Sequence, residues 1–182
     1  VDEPNTPVWT YEAILLCPGD QLYMRPNTPH MVYTPANAIC HGAHFYATST
    51  LGDTLRGLTH CLMGERIVTN TSHPDAVLLL LHLVHYFHAE FVMGMPDFDN
   101  LPGHLPDLTT AEGFMDFIHL CSIGFLFNVL DPRTYQVPSS SDLDNKRYTA
   151  YDANNIPTTD RRRFAFARGL CHQLIEWLDK NF

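Results

Sequence analysis

The spacing of apolar residues changes near residue 51, and this change most constrains how the chain can fold. Before it, short apolar runs alternate with turn residues, as where Glu12–Leu16 is followed by Pro18-Gly19-Asp20, which is typical of strands separated by turns. After it, leucines recur at three- and four-residue intervals from Leu51 to Leu62, the spacing of one face of an α-helix. The sequence therefore predicts an α+β chain in which the β structure comes first.

Residues 1–50 form the first predicted unit. Prolines at positions 18, 26, 29 and 35 divide it into short intervals, which suits a β-meander or the corner of a barrel. Four strands are too few to close a barrel alone, so we expect half of one. The predicted strands are Glu12–Leu16, Gln21–Met24, His30–Thr34 and Ala38–Thr48.

Residues 51–182 form the second predicted unit, which is helical. Helices are predicted from Leu51 to Leu62 and over residues 75–93, 110–130 and 160–180. Thr109 or Thr110 is the predicted N-cap of the third helix, and Asp160 that of the fourth. The polar stretch at about residues 133–158, rich in Ser, Asp and Asn, is predicted to be an exposed loop.

Composition excludes several classes of function. The net charge of -9, with only 17% charged residues, disfavours non-specific binding to nucleic acid, which depends on Lys and Arg. The longest apolar run, Ala76–Leu81, is far short of a membrane span. The five cysteines are scattered and form no C-x-x-C pair, which favours reduced, buried thiols in an intracellular protein. The sequence opens on Val1 rather than Met, so we expect a processed chain or a piece of something longer.

The most informative motif runs from Pro18 to Thr34. A Gly-Asp turn leads into a predicted strand, the corner Arg25-Pro26-Asn27 follows, and His30 opens the next strand. This arrangement resembles the second cupin motif, in which a proline and glycine corner precedes a metal-binding histidine. Asn27 stands where that motif has glycine, and Asn is the residue other than Gly best suited to a left-handed φ.

The resemblance narrows when the next strand is included. His30-Met-Val-Tyr-Thr-Pro35, followed by Ile39-Cys-His-Gly-Ala-His-Phe45, is similar to the distal end of the Jumonji C (JmjC) domain. The block from Trp9 to Leu58 is also similar to JmjC-like proteins of mushroom-forming fungi. The resemblance implies the C-terminal half of a double-stranded β-helix, with Fe(II) and 2-oxoglutarate as cofactors of a protein hydroxylase or lysine demethylase. It also implies a nuclear location by family analogy.

Two site residues follow from the resemblance. His30 would be the distal ligand of the iron, and His44 would lie near the co-substrate. The other two ligands would come from an upstream His-x-Asp or His-x-Glu, but the 29 residues before His30 contain no histidine. Two downstream matches, His73-Pro74-Asp75 and His88-Ala89-Glu90, are interpreted as chance. The chain therefore carries one expected iron ligand of three, and no catalytic residue is assigned.

Three functional hypotheses remain open. In the first, the chain is a fragment of a JmjC-like dioxygenase that is inactive alone, and iron and 2-oxoglutarate are absent from it or bound only with upstream sequence. In the second, it is a non-catalytic, cupin-like structural or protein-interaction module. In the third, it binds metal through His82, His85 and His88, although their spacing of three favours ordinary core or boundary histidines over a zinc helix.

The predicted partners are proteins, either as substrate or as binding partner, and the oligomeric state is left open. The run Arg161–Arg163 is interpreted as a solvated helix face with a salt bridge to Asp160 or to another neighbour. No direct binding to nucleic acid or to a membrane is indicated.

Overall fold

The computed structural model describes residues 10–64, 74–94, 97, 101–134 and 155–182. In chain order, a 3₁₀ turn at Thr48–Thr50 leads into α1, Leu51–Gly64. Helix α2, Pro74–Phe87, continues as a π-helical stretch over His88–Met93. Helix α3 is Ala111–Leu130, a 3₁₀ turn follows at Pro132–Thr134, and α4 is Thr158–Asn181.

The four helices confirm the helical predictions, with ends that shift by a few residues. Thr110 is the N-cap of α3, since its hydroxyl accepts a hydrogen bond from the backbone N–H of Gly113 at 3.1 Å. The prediction that Asp160 caps α4 was wrong. Helix α4 begins two residues earlier, after Pro157, and Asp160 instead forms ion pairs with Arg133 and Arg163.

The predicted β structure was wrong. None of the described residues lies in a β-strand, so this part of the chain contains no partial double-stranded β-helix. The four predicted strands fall in residues 12–48, which are irregular up to residue 47 and largely exposed up to residue 45. A strand exists only when a second strand accepts and donates its backbone hydrogen bonds. We therefore attribute the error to reading strand propensity as strand formation.

The turns predicted within this region did form, because a turn needs only its own residues. The backbone N–H of Asp20 donates to the carbonyl of Cys17 at 3.0 Å, and Gly19 has φ +97°. Asn27 has φ +58°, the left-handed conformation predicted for that corner. The larger part of the predicted loop, residues 135–154, lies outside the described residues, as does His73.

Helix α3 is the centre of the helical bundle and packs against both α1 and α4. Ring contacts give the relative direction of α3 and α4. Phe117, early in α3, lies 6.4 Å from Trp177, late in α4, whereas Phe127 lies 5.5 Å from Phe164. The two helices are therefore antiparallel, and α2 packs against both.

A buried ionic network joins the end of α3 to the start of α4. Asp131 is fully buried and pairs with Arg133 at 2.6 Å, and Arg133 also reaches Asp160 at 2.8 Å. The hydrogen bond to Asp131 is the main cause that raises the pKa of Arg133. The network compensates the charge of Asp131 where water cannot.

Two helical stretches, Ala76–Met93 and Ala111–Leu130, are long and apolar enough to span a membrane by length and composition. The apolar stretch that begins at Ala76 therefore extends to Met93, beyond the run Ala76–Leu81 on which the sequence analysis based its prediction. Within these windows, 33% and 44% of the residues are buried in the bundle. Core helices of soluble proteins meet the same criteria, so the finding is weak support for a membrane span.

Candidate functional site

The exposed apolar surface of residues 10–45, which we call the extended segment, is the most unusual feature of the described chain. Met31 and Ile39 are 96% and 101% exposed, although apolar side chains of this size are normally at least partly covered. Only three residues of the segment carry a formal charge: Glu12, Asp20 and Arg25. Its exposed large apolar residues are Tyr11, Ile14, Leu15, Leu16, Leu22, Tyr23, Met24, Met31, Val32, Tyr33, Ile39 and Phe45.

The corner of the extended segment contacts α1 through polar groups. Arg25 donates to Asp53 Oδ2 from Nε at 3.1 Å and from Nη2 at 2.7 Å. His60 Nδ1 donates to Asn27 Oδ1 at 3.1 Å. These groups are largely exposed, so their contribution to stability is small. They fix the position of the corner and bury little of the apolar surface on either side of it.

Only part of this contact was predictable from local sequence. Asp53 lies in the first turn of α1, where a carboxylate suits the helix dipole, but its partner Arg25 is 28 residues away. Local patterning carries no signal for such a pairing. The left-handed φ of Asn27, which was predictable, turns the chain at the place where it meets α1.

His30 and His44, the two residues assigned by resemblance, are both exposed and lie in the extended segment. His30 Nδ1 donates to the backbone carbonyl of Thr28 at 2.9 Å. This bond leaves Nε2 as the nitrogen with a free lone pair. The roles of His30 as an iron ligand and of His44 near a co-substrate stay predictions.

The described residues do not supply the rest of an iron site. No group of three or more His, Cys, Asp or Glu side chains that could hold a metal occurs among them. Non-haem iron enzymes of the implied kind need two histidines and a carboxylate on one face of the metal. The description of this part of the chain as a metal-binding cupin or JmjC double-stranded β-helix was therefore wrong, whereas iron and 2-oxoglutarate as cofactors stay predictions.

The three histidines of the α2 region have separate surroundings. His88 Nε2 donates to Gln173 Oε1 on α4 at 2.5 Å, and the His85 ring lies 5.2 Å from the Phe166 ring. His82 is exposed. Burial, with smaller contributions from the charges of His82 and His88, lowers the pKa of His85. The interpretation as boundary histidines fits these contacts.

A cleft of about 450 Å³ lies where the extended segment meets the bundle. Its walls are Tyr46–Ser49, the loop Gly103–Asp107 and the first turns of α3. Burial raises the pKa of Tyr46 to about 12. The Thr48 hydroxyl donates to the carbonyl of His104 at 2.7 Å, which ties the two walls together.

Asp116 is the buried carboxylate of this cleft. Its Oδ1 accepts a hydrogen bond from the backbone N–H of Gly52 at 3.4 Å, so a side chain of α3 caps the first turn of α1. Burial is the largest cause acting on the Asp116 carboxyl and raises its pKa. Its role is therefore structural, although it lines the cleft.

Two cysteines face each other in the core, a feature that the sequence reading missed. Cys121 on α3 and Cys171 on α4 are 1% and 0% exposed, and a hydrogen bond with Cys171 is the largest cause that raises the pKa of the Cys121 thiol. Both positions were recognisable as buried from the helical period, but their pairing depends on the register between two helices. The prediction of buried thiols was wrong for Cys17 and Cys40, which are exposed.

Comparison with known proteins adds no assignment, since no family model, no curated protein and no solved structure matches this chain.

Proposed function

We propose that this chain is a non-catalytic protein-interaction module, in which the helical bundle presents the extended segment to an exposed β-sheet edge of a partner protein. The observation that carries the proposal is the exposure of twelve large apolar side chains within residues 10–45. Apolar patches of this extent are typical of interaction surfaces.

The low charge of the extended segment indicates what kind of contact it makes. With three charged residues in the segment, ionic attraction contributes little, and burial of apolar surface must supply the free energy. Burying one side chain such as Leu or Phe is worth roughly 1.5–3 kcal/mol. Association costs about 4–15 kcal/mol in lost motional freedom. Several of the exposed side chains must therefore be covered together.

The backbone of the segment favours a sheet edge as the surface that covers it. Within residues 10–46, the backbone N–H of Asp20 donates to the carbonyl of Cys17 and closes a turn. Among the described residues, the extended runs before and after this turn have no neighbouring strand to pair with. Met31, Val32 and Tyr33 are consecutive and all exposed, so both faces of this run lack cover. Pairing of an extended peptide with a sheet edge satisfies the backbone and places alternate side chains on the two faces.

The contacts with α1 give this arrangement a fixed geometry. Arg25 and Asn27 hold the corner against Asp53 and His60, which leaves the runs before and after the corner free to pair. A segment held at one point loses less conformational freedom on binding than a free peptide.

The proposal is tested by site-specific photo-crosslinking in the cells that produce the protein. A diazirine analogue of methionine at position 31 is compared with the same analogue at position 63, since Met63 is 79% exposed but lies on α1. We expect one protein to be captured from position 31 and not from position 63. The purified partner should then slow amide hydrogen exchange in residues 30–34, and Val32→Asp should abolish binding.

Other results would overturn the proposal. One is a partner whose binding protects the helices and leaves residues 10–45 unprotected. Another is an equally strong adduct from position 63. Self-association that Val32→Asp removes would identify a second copy as the occupant, and flotation with phosphatidylcholine vesicles would identify a lipid surface.

The dioxygenase hypothesis stays a prediction with its own test. An anaerobic titration with Fe(II), or with Co(II) as a spectroscopic substitute, compares the full chain with His30→Ala and with His41→Ala, a matched histidine of the same segment. Stoichiometric binding that only His30→Ala removes would favour the iron hypothesis. A single imidazole binds metal weakly, so we expect no difference among the three proteins.

A further inference from the structure

The Cys121 and Cys171 thiols lie at the closest approach of α3 and α4. An ideal Cβ placed on Gly124 would overlap Cys171 Sγ. The sulfur therefore occupies the space that any larger residue at position 124 would fill. Gly124 follows Cys121 by three residues and lies on the same face of α3, so Cys171 contacts the turn that carries Cys121.

A close approach of two helix backbones is the main geometric requirement of a disulfide between them. A disulfide needs its two Cα atoms about 4.4–6.8 Å apart. Packed helices with axes about 8–10 Å apart allow this separation where two residues face each other, because each Cα lies about 2.3 Å from its helix axis. A glycine at the crossing lets the backbones approach. Cys171 Sγ packs on the turn of α3 that carries Cys121, and a hydrogen bond with Cys171 raises the pKa of the Cys121 thiol, so forming the bond requires a small movement of the side chains.

We propose that Cys121 and Cys171 are an oxidative modification site, which a low-molecular-weight disulfide such as oxidised glutathione converts into a cross-link between α3 and α4. In the first step, one cysteine thiolate attacks the glutathione disulfide and releases one glutathione thiolate. In the second, the other cysteine attacks the mixed disulfide and releases the second. The two protons lost by the cysteines protonate the two glutathione thiolates, so the protein loses two electrons and two protons.

Burial sets the rate of this reaction. Both thiols are out of contact with water, and the attacking species in thiol–disulfide exchange is the thiolate. Oxidation therefore requires a transient separation of α4 from α3. The exposed Cys17 and Cys40 should react first, and the Cys121–Cys171 bond should form later without a stable mixed disulfide.

The cross-link should stabilise the bundle. It closes a loop that contains the second half of α3, the connection to α4 and the first half of α4, and it restricts the unfolded chain accordingly. Because the sulfurs are in contact before oxidation, little strain is expected in the folded state.

The test uses the full chain with Cys17→Ser, Cys40→Ser and Cys61→Ser, after its helical circular dichroism has been matched to the original protein. The variant is incubated with oxidised glutathione, digested without reduction and mapped by mass. We expect a linked peptide pair, a loss of two hydrogens in the intact mass and a higher urea midpoint that dithiothreitol reverses. The same mapping on the unsubstituted chain covers the case in which the triple variant does not fold.

Three results would overturn the proposal. The first is a mixed disulfide with glutathione that persists at either cysteine. The second is the absence of any linked peptide. This result counts whether a maleimide alkylates both thiols or neither glutathione disulfide nor maleimide reacts with them. The third is a linked protein with a lower urea midpoint than the reduced one, which would mean that the folded geometry does not accommodate the bond.

Discussion

At the scale of single residues, the contact between Gly124 and Cys171 decides how closely α3 and α4 approach. Interiors are packed almost without free volume, and the sulfur of Cys171 fills the place of the missing side chain at position 124. The helix pair therefore depends on a small residue at one position and on a matching side chain at the other.

Gly124→Ala is expected to lower the free energy of unfolding by about 1–3 kcal/mol, because the added methyl group overpacks the crossing. Cys171→Ala in the same chain should restore part of the loss, since it removes the sulfur that the methyl group strikes. Urea denaturation of the two single variants and the double variant measures the coupling. Effects that simply add would contradict the contact.

The buried Asp131 gives a second residue-level prediction. Arg133→Ala leaves this carboxylate without its main partner, and breaking a buried pair costs about 3–5 kcal/mol. We expect Arg133→Ala to lower the free energy of unfolding by about 3 kcal/mol, the lower end of this range, because Arg133 is partly open to solvent.

Arg163→Ala is the matched control for Arg133→Ala. Arg163 pairs with Asp160 in the same network at 3.5 Å, but it lies on the exposed face of α4. Its removal should change the free energy of unfolding by no more than about 0.5 kcal/mol. Equal effects of the two substitutions in chemical denaturation would contradict a buried role for Arg133.

At the scale of elements, helices and turns were predictable from sequence and strands were not. Helix α3 is defined by apolar residues at helical spacing and by the Thr110 cap, all within its own residues. The run His30–Thr34 has the composition of a strand, but its state depends on hydrogen bonds to residues elsewhere. Local sequence therefore indicates that this run can pair, and only the tertiary structure shows that it has no partner among the described residues.

The contact between α1 and α3 provides a prediction of pH dependence. Asp116 has a raised pKa when folded, so its carboxyl stabilises the fold below its ordinary value of 3.8, and this contribution is lost as the pH rises through the folded value. Asp116→Asn keeps the oxygen that accepts from Gly52 and removes the titration. The stability of the variant relative to the original chain should therefore increase as the pH rises above 3.8.

Urea midpoints of the original chain and Asp116→Asn, measured at intervals from pH 4 to pH 7, test this sign. The difference between the two proteins isolates residue 116 from the other acidic groups. A difference that stays constant with pH, or that shrinks as the pH rises, would contradict the raised pKa.

At the scale of the whole molecule, exposed polar contacts join the extended segment to the bundle. Arg25 pairs with Asp53, and Asn27 accepts a hydrogen bond from His60. The large fully buried side chains lie between Leu51 and Leu174, within the helical part. Stability therefore belongs to the helices, and the extended segment is available for binding.

A chain that begins at Tyr46 should keep its helical circular dichroism and unfold cooperatively, with a free energy of unfolding within about 1 kcal/mol of the longer chain. A chain that ends at Pro157 is the control. It lacks α4 and uncovers Phe117 and Phe127, so it should lose cooperative unfolding. Loss of cooperativity in the first protein would mean that residues 10–45 contribute to the core.

The sequence by itself determined the features that depend on neighbouring residues. These are the helical period after Leu51, the Thr110 cap, the turn at Gly19 and the left-handed Asn27. Tertiary structure decided the rest, because the rest depends on residues far apart in the chain. The thiol contact of Cys121 with Cys171 requires a register between two helices, and a strand requires a second strand. The same apolar residues that predicted strands are therefore exposed in this structure, and we propose that a partner covers them.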